Sequence, residues 1–169
     1  VESYTDMKEF LKSELEKIKL AGLSRQMRIV APGVLNFSTN NYLSLSEDPR
    51  VRAAAAEAAQ KYGAGGTSSR LIAGTTDLHA ELESTLASFK GTEAALVYPT
   101  GFQTNIGIIG ALMGEGDCVI MDKLNHASLW DAVKLSKARV FVYEHRDMDS
   151  LEKVLARTKE YKKKLVVTD

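Results

Sequence analysis

The chain has 169 residues, 44% hydrophobic and 26% charged, with 22 Lys and Arg balancing 22 Asp and Glu. That length suits one globular domain, and the charge balance removes the electrostatic case for nucleic acid or an anionic membrane as partner. A single cysteine, Cys118, cannot close an internal disulfide; with no apolar stretch of membrane-spanning length and no signal peptide, the expectation is a reducing, cytoplasmic setting.

Along the chain, Phe10, Leu11, Leu15 and Ile18 recur at helical spacing between lysines and glutamates, which predicts an amphipathic helix over 6–20 lying on something larger. A short strand is expected at 34–38. Asp48-Pro49 announces a helix start, with Asp as cap and Pro at the first helical position, and the alanine-rich run 51–62 continues it to Gly63. The stretch 63–74 is polar and glycine-rich, a surface loop on the bland reading. Leu71 and Ile72 inside it argue that it packs against something, a second subunit being one candidate.

From there the order turns regular. Helices are expected at 77–89 (closed by Gly91), 102–113, 128–135 and 148–161, alternating with strands at 94–98, 118–122, 139–143 and 165–168. Nearly all-apolar strands of about five residues between helices predict a parallel sheet covered on both faces, with ligands beyond the carboxyl ends of the strands. The strand at 165–168 is of the buried type with no covering helix after it. The chain is therefore expected to be the N-terminal part of a longer protein, and Val1 leaves room for a missing initiator methionine or leader.

Two segments at those carboxyl ends carry chemistry. Tyr98-Pro-Thr-Gly-Phe-Gln-Thr-Asn105 breaks from strand to helix and offers free N–H groups to a phosphate, with the Thr100 and Thr104 hydroxyls beside them. Asn125-His-Ala-Ser128 delivers a flat imidazole from the neighbouring strand. Each has a plainer reading, a simple turn for Gly101-Phe102 and a hydrogen-bonded structural histidine for His126. Together they suggest a phosphorylated, ring-shaped cofactor. Gly107-Ile-Ile-Gly110 falls inside a helix and fails the dinucleotide fingerprint, and no Gly-Lys phosphate loop is present. His79, His126, His145 and Cys118 have no metal-binding spacing, so no metal is expected; His79 and His145 are read as structural or solvated. The lysine run at 159–164 reads as a solvated helix end.

Asn36-Phe-Ser-Thr-Asn-Asn-Tyr-Leu-Ser-Leu45, the loop 63–74, Thr100–Asn105 and Leu124–Ser128, in this order and spacing, resemble the α-oxoamine synthases. These are pyridoxal-phosphate enzymes of fold type I that join an amino acid to an acyl-CoA with loss of carbon dioxide. The resemblance covers nearly all of the chain from about Ala21.

It implies that Gly101 and Phe102 hold the phosphate of pyridoxal 5'-phosphate and that His126 stacks on its ring and acts in catalysis. It further implies that Asn40, Arg25 and His126 contact the amino-acid substrate, Arg28 competing with Arg25 for that alignment. Residues 1–45 would form the N-terminal helix and substrate-contacting arm, and 46–169 the first part of the large cofactor-binding domain. It also implies a homodimer with the active site at the interface.

Thr100–Asn105 is closer to the members that join alanine to a pimeloyl thioester for biotin biosynthesis than to those that join glycine to acetyl-CoA. The family's Schiff-base lysine and its pyridine-pairing aspartate fall beyond residue 169, so this chain alone is expected to be inactive. Two other readings stay open: a different fold type I enzyme, against which Asn-His-Ala-Ser argues, and a lysine-less, non-catalytic subunit.

Overall fold

The computed structural model describes residues 4–31 and 33–169; Val1 lies outside them. The chain divides into two compact units, residues 1–65 and 66–169.

In the first unit, helix α1 spans Tyr4–Leu20 and carries the Glu14–Lys17 ion pair one turn apart. A 3-10 segment, Tyr42–Glu47, precedes helix α2, Pro49–Tyr62. The start of α2 is as its sequence requires. Asp48 accepts from the Arg50 N–H, Pro49 occupies the first turn where no N–H is needed, and Gly63 closes the helix at φ 89°.

The strand expected at 34–38 is not formed. Asn36 Oδ1 instead accepts the Ser38 N–H at 2.9 Å, a local turn that competes with the extended ladder.

The second unit holds helices α3 (Asp77–Lys90), α4 (Gly101–Leu112), α5 (Ala127–Ser136) and α6 (Met148–Arg157), with strands β1 (Cys118–Asp122), β2 (Arg139–Tyr143) and β3 (Lys164–Val167). The strands are parallel in the order β2-β1-β3, with Val119 opposite both Val140 and Leu165. All five residues of β1 are buried. Its alternation divides the core in two. Val119 and Met121 pack with Ile109, Met113, Ala132 and Val133 of α4, α5 and their ends, while Cys118 and Ile120 pack with Tyr143 and Val154 of β2 and α6. The sheet is thus covered on both faces, as expected.

Two further expectations are corrected. Residues 94–98 run into α4 without joining the sheet, because side chains take their main-chain groups. Glu83 Oε1 accepts the Val97 N–H at 2.9 Å, and Arg70 Nη1 donates to the Val97 carbonyl at 3.0 Å. The last helix stops at Arg157 rather than 161. Thr158 is fully buried there and turns its hydroxyl back onto the Val154 carbonyl. The lysine run 159–164 is therefore a turn that enters β3 at Lys164, not a helix end, and Lys163 donates to the Leu112 carbonyl at 2.9 Å.

Candidate functional site

The site is built where β1 and β3 end and α4 and α5 begin. Thr100 caps α4 by accepting the Gln103 N–H at 3.1 Å, and its carbonyl takes the Thr104 N–H at 3.0 Å. The Gly101 and Phe102 N–H groups, in the first turn, have no acceptor among the described residues. A Cβ built on Gly101 meets no atom within 4 Å, so the space before these donors is open to an anion.

The approach to this turn is braced from behind. Arg70, in a single π-helical turn spanning Arg70–Gly74, forms a two-pronged pair with Glu83 at 2.6 and 3.1 Å. The two grip both main-chain groups of Val97. The Glu83 carboxylate is held down at about 2, first by Arg70 and then by the Val97 N–H. On the α4 side, a Cβ at Gly107 would come within 2.9 Å of the Tyr98 ring. Glycine there lets the ring lie directly on the helix.

The loop after β1 is tied to the end of β3. Asn125 is buried and donates from Nδ2 to the Val167 carbonyl at 3.0 Å, and the His126 N–H donates to Asp169 Oδ2 at 3.1 Å. His126 itself caps α5, its Nδ1 accepting the Ser128 N–H at 3.2 Å. The Ser128 hydroxyl lies 2.7 Å from the same nitrogen and accepts from Asn105 Nδ2 of α4 at 2.8 Å. Through this chain of bonds the imidazole is fixed relative to α4. Its body stays exposed.

Asp122, at the end of β1, is almost wholly buried. Its carboxyl is held below the usual range chiefly by the Leu124 N–H, then by His145 Nδ1 at 3.0 Å, against the opposing effect of burial. His79 closes the capping box of α3 with Thr76. Both histidines are structural, as read from the sequence.

The second unit therefore contains Gly101, Phe102 and His126, the last linked to α4. Arg25 and Asn40 belong to the first unit, where both are exposed. Sequence reasoning missed Asn105, Ser128 and the Arg70–Glu83 clamp. The serine two residues after the histidine was the available signal for a cap. Among the described residues there is no group of metal-ligand type, and no helix is long and apolar enough to cross a membrane.

Residues 32–169 match the family model for aminotransferase class I and II. The 8-amino-7-oxononanoate synthase of Symbiobacterium thermophilum is 46% identical over 173 residues, covering 95% of this chain and 44% of that protein. That of Geobacter sulfurreducens is 45% identical, covering 96% and 44%. The chain thus spans under half the length of these curated relatives.

Among solved structures, a serine palmitoyltransferase variant from S. paucimobilis with a bound PLP–myriocin aldimine superposes with a TM-score of 0.81 at 32% identity, over 98% of this chain and 46% of that one. An 8-amino-7-oxononanoate synthase from Francisella tularensis gives 0.64 at 29% identity, over 73% and 35%.

Proposed function

The chain belongs to the aminotransferase class I and II family, and from that premise we propose that the full-length protein is a pyridoxal-phosphate enzyme of the α-oxoamine synthase type. Its reaction would be the decarboxylative condensation of alanine with a pimeloyl thioester. The observation that carries this reading is the 42–46% identity to 8-amino-7-oxononanoate synthases over about 95% of the chain.

The residues present fit such a cofactor. Two unclaimed N–H groups at the start of α4, with open space before them, suit its phosphate, and they stand on the helix that holds His126 through Asn105 and Ser128. When bound, the cofactor supplies an electron sink at the substrate's α-carbon.

The chain's own residues supply position. Gly101 and Phe102 hold the phosphate, and each charge-assisted contact contributes about 1.5–3 kcal/mol. His126 lies against the ring, excludes water from one face and orients the substrate. We assign Asn40 a place near the amino-acid carboxylate and Arg25 a contact to the substrate, with 1–45 as an N-terminal arm and 46–169 as the first part of the cofactor-binding domain.

Leu71 and Ile72 are 93% and 78% exposed at the end of the loop 63–74. We assign them to a homodimer interface beside the active site, in a cytoplasmic enzyme. The lysine that would bind the cofactor covalently is placed outside the 169 residues, and the chain alone is inactive on this reading. Borohydride treatment with pyridoxal phosphate should leave no stoichiometric pyridoxyl group on a lysine within residues 1–169; finding one would contradict that placement.

The test of the reaction is direct. Full-length protein given pyridoxal phosphate, alanine and pimeloyl-CoA should release carbon dioxide and form 8-amino-7-oxononanoate, identified by mass. Turnover only with glycine and acetyl-CoA would assign the sister reaction, and turnover with no acyl thioester would sink the synthase reading.

A further inference from the structure

The hydrogen bonds around His126 leave one consistent placement of protons. The Ser128 main-chain N–H can only donate, and it meets His126 Nδ1 at 3.2 Å. Nδ1 therefore carries a lone pair, and in the neutral ring the proton sits on Nε2. The Ser128 hydroxyl is 2.7 Å from the same Nδ1. Two lone pairs cannot face each other at that distance, so the hydroxyl gives its single proton to the ring. Its oxygen is then left to accept, and the Asn105 amide provides the donor at 2.8 Å. This also fixes which way the Asn105 amide is turned. Ser128 is 2% exposed, so water does not compete for the hydroxyl, and each bond in the series supports the next.

We infer that Asn105 and Ser128 are positioning residues that lock the His126 ring in the Nε2–H tautomer and fix its rotation. The neutral ring then has no free lone pair, since Nδ1 is engaged and Nε2 is protonated. His126 can stack and donate from Nε2, but it cannot serve as a base. The bearing of this lock on cofactor and substrate rests on the function proposed above. The proton placement itself does not.

Full-length protein labelled with 15N-histidine tests this by long-range 1H–15N NMR at about pH 8.5, where imidazole is neutral, with His126 signals identified by their loss in His126→Gln. Wild-type His126 should show a bare Nδ1 and a protonated Nε2. Asn105→Asp replaces the donor by an acceptor of nearly the same shape. The Ser128 hydroxyl must then turn to the carboxylate, and the excess of the Nε2–H form should fall about two- to tenfold, the net worth of one hydrogen bond. Ser128→Ala should shift the ring the same way, and Ser128→Thr, which keeps the hydroxyl, should preserve the wild-type pattern.

A wild-type ring protonated on Nδ1 would overturn the inference, as would unchanged tautomers in both Asn105→Asp and Ser128→Ala. A parallel fluorescence titration with pyridoxal phosphate separates the two readings. Unchanged affinity in His126→Ala beside a locked tautomer sinks the cofactor role and keeps the lock. Weakened affinity beside a mixed wild-type tautomer does the reverse.

Discussion

Residues 66–169 contain every buried side chain found among the described residues, whereas the described residues up to Gly65 contain none. The first unit is not short of apolar side chains. Phe10, Leu15, Ile29 and Phe37 all lie exposed there, Ile29 and Phe37 almost completely. Its helices stand on local signals: an Asp cap, a first-turn proline, an alanine-rich run and an ion pair one turn apart. The second unit is organised by contacts distant in sequence, with α4 and α5 packed on one face of β1, α6 on the other, and β2 and β3 along its edges. Local signals are enough to shape helices; in the second unit, contacts remote in sequence also bring Asn105, Ser128 and His126 together.

If that contrast is right, the largest effect belongs to the middle of the sheet. Ile120→Ala empties a fully buried position and should cost the full-length protein about 2–5 kcal/mol in urea unfolding. A loss below about 1 kcal/mol would mean that the β1 core is not the organising contact. Gly107→Ala should come next, at about 1–3 kcal/mol, because its methyl group would overlap the Tyr98 ring. Tyr98→Leu in the same protein should restore part of that loss. Additive losses would show that the ring does not lie on α4.

The clamp behind α4 predicts a pH dependence. The Glu83 carboxyl is lowered from 4.5 to about 2. Its contribution is therefore complete above pH 4.5 and is lost as pH falls from there towards 2. Glu83→Gln should abolish that part of the acid profile, and an unchanged profile would show that Arg70 and Val97 do not hold the carboxylate in solution.

The smallest effect is expected in the first unit. Asp48→Ala should loosen only α2, seen as faster amide exchange at its first turn, while protection of β1 stays the same. Loss of protection in both units would show that they do not fold on separate terms.

The same contrast explains what could be read from the sequence. The ends of α2 and the Gly91 closure of α3, in the left-handed region at φ 67°, are written in neighbouring residues and were legible. So was β1, whose four apolar residues Cys118–Met121 and terminal Asp122 have no solvated face. The segments 34–38 and 94–98 look no different in composition, yet neither is a strand. Pairing is decided by remote groups, such as Arg70 and Glu83 taking both main-chain groups of Val97.

The candidate site follows the same rule. Gly101, Phe102 and His126 were visible because each sits at an element boundary with a recognisable residue type. Asn105 was not, since an asparagine one turn inside a helix has meaning only once Ser128, 23 positions away, is known to face it.

The central claim is that the phosphate of pyridoxal phosphate is held at the start of α4, and Phe102→Pro in the full-length protein tests it most directly. Proline fits the first turn of a helix but has no N–H to give. Removing one charge-assisted donor should raise the dissociation constant for pyridoxal phosphate at least about tenfold in a fluorescence titration, with the unfolding midpoint nearly unchanged. An affinity equal to wild type would place the phosphate elsewhere and contradict the account.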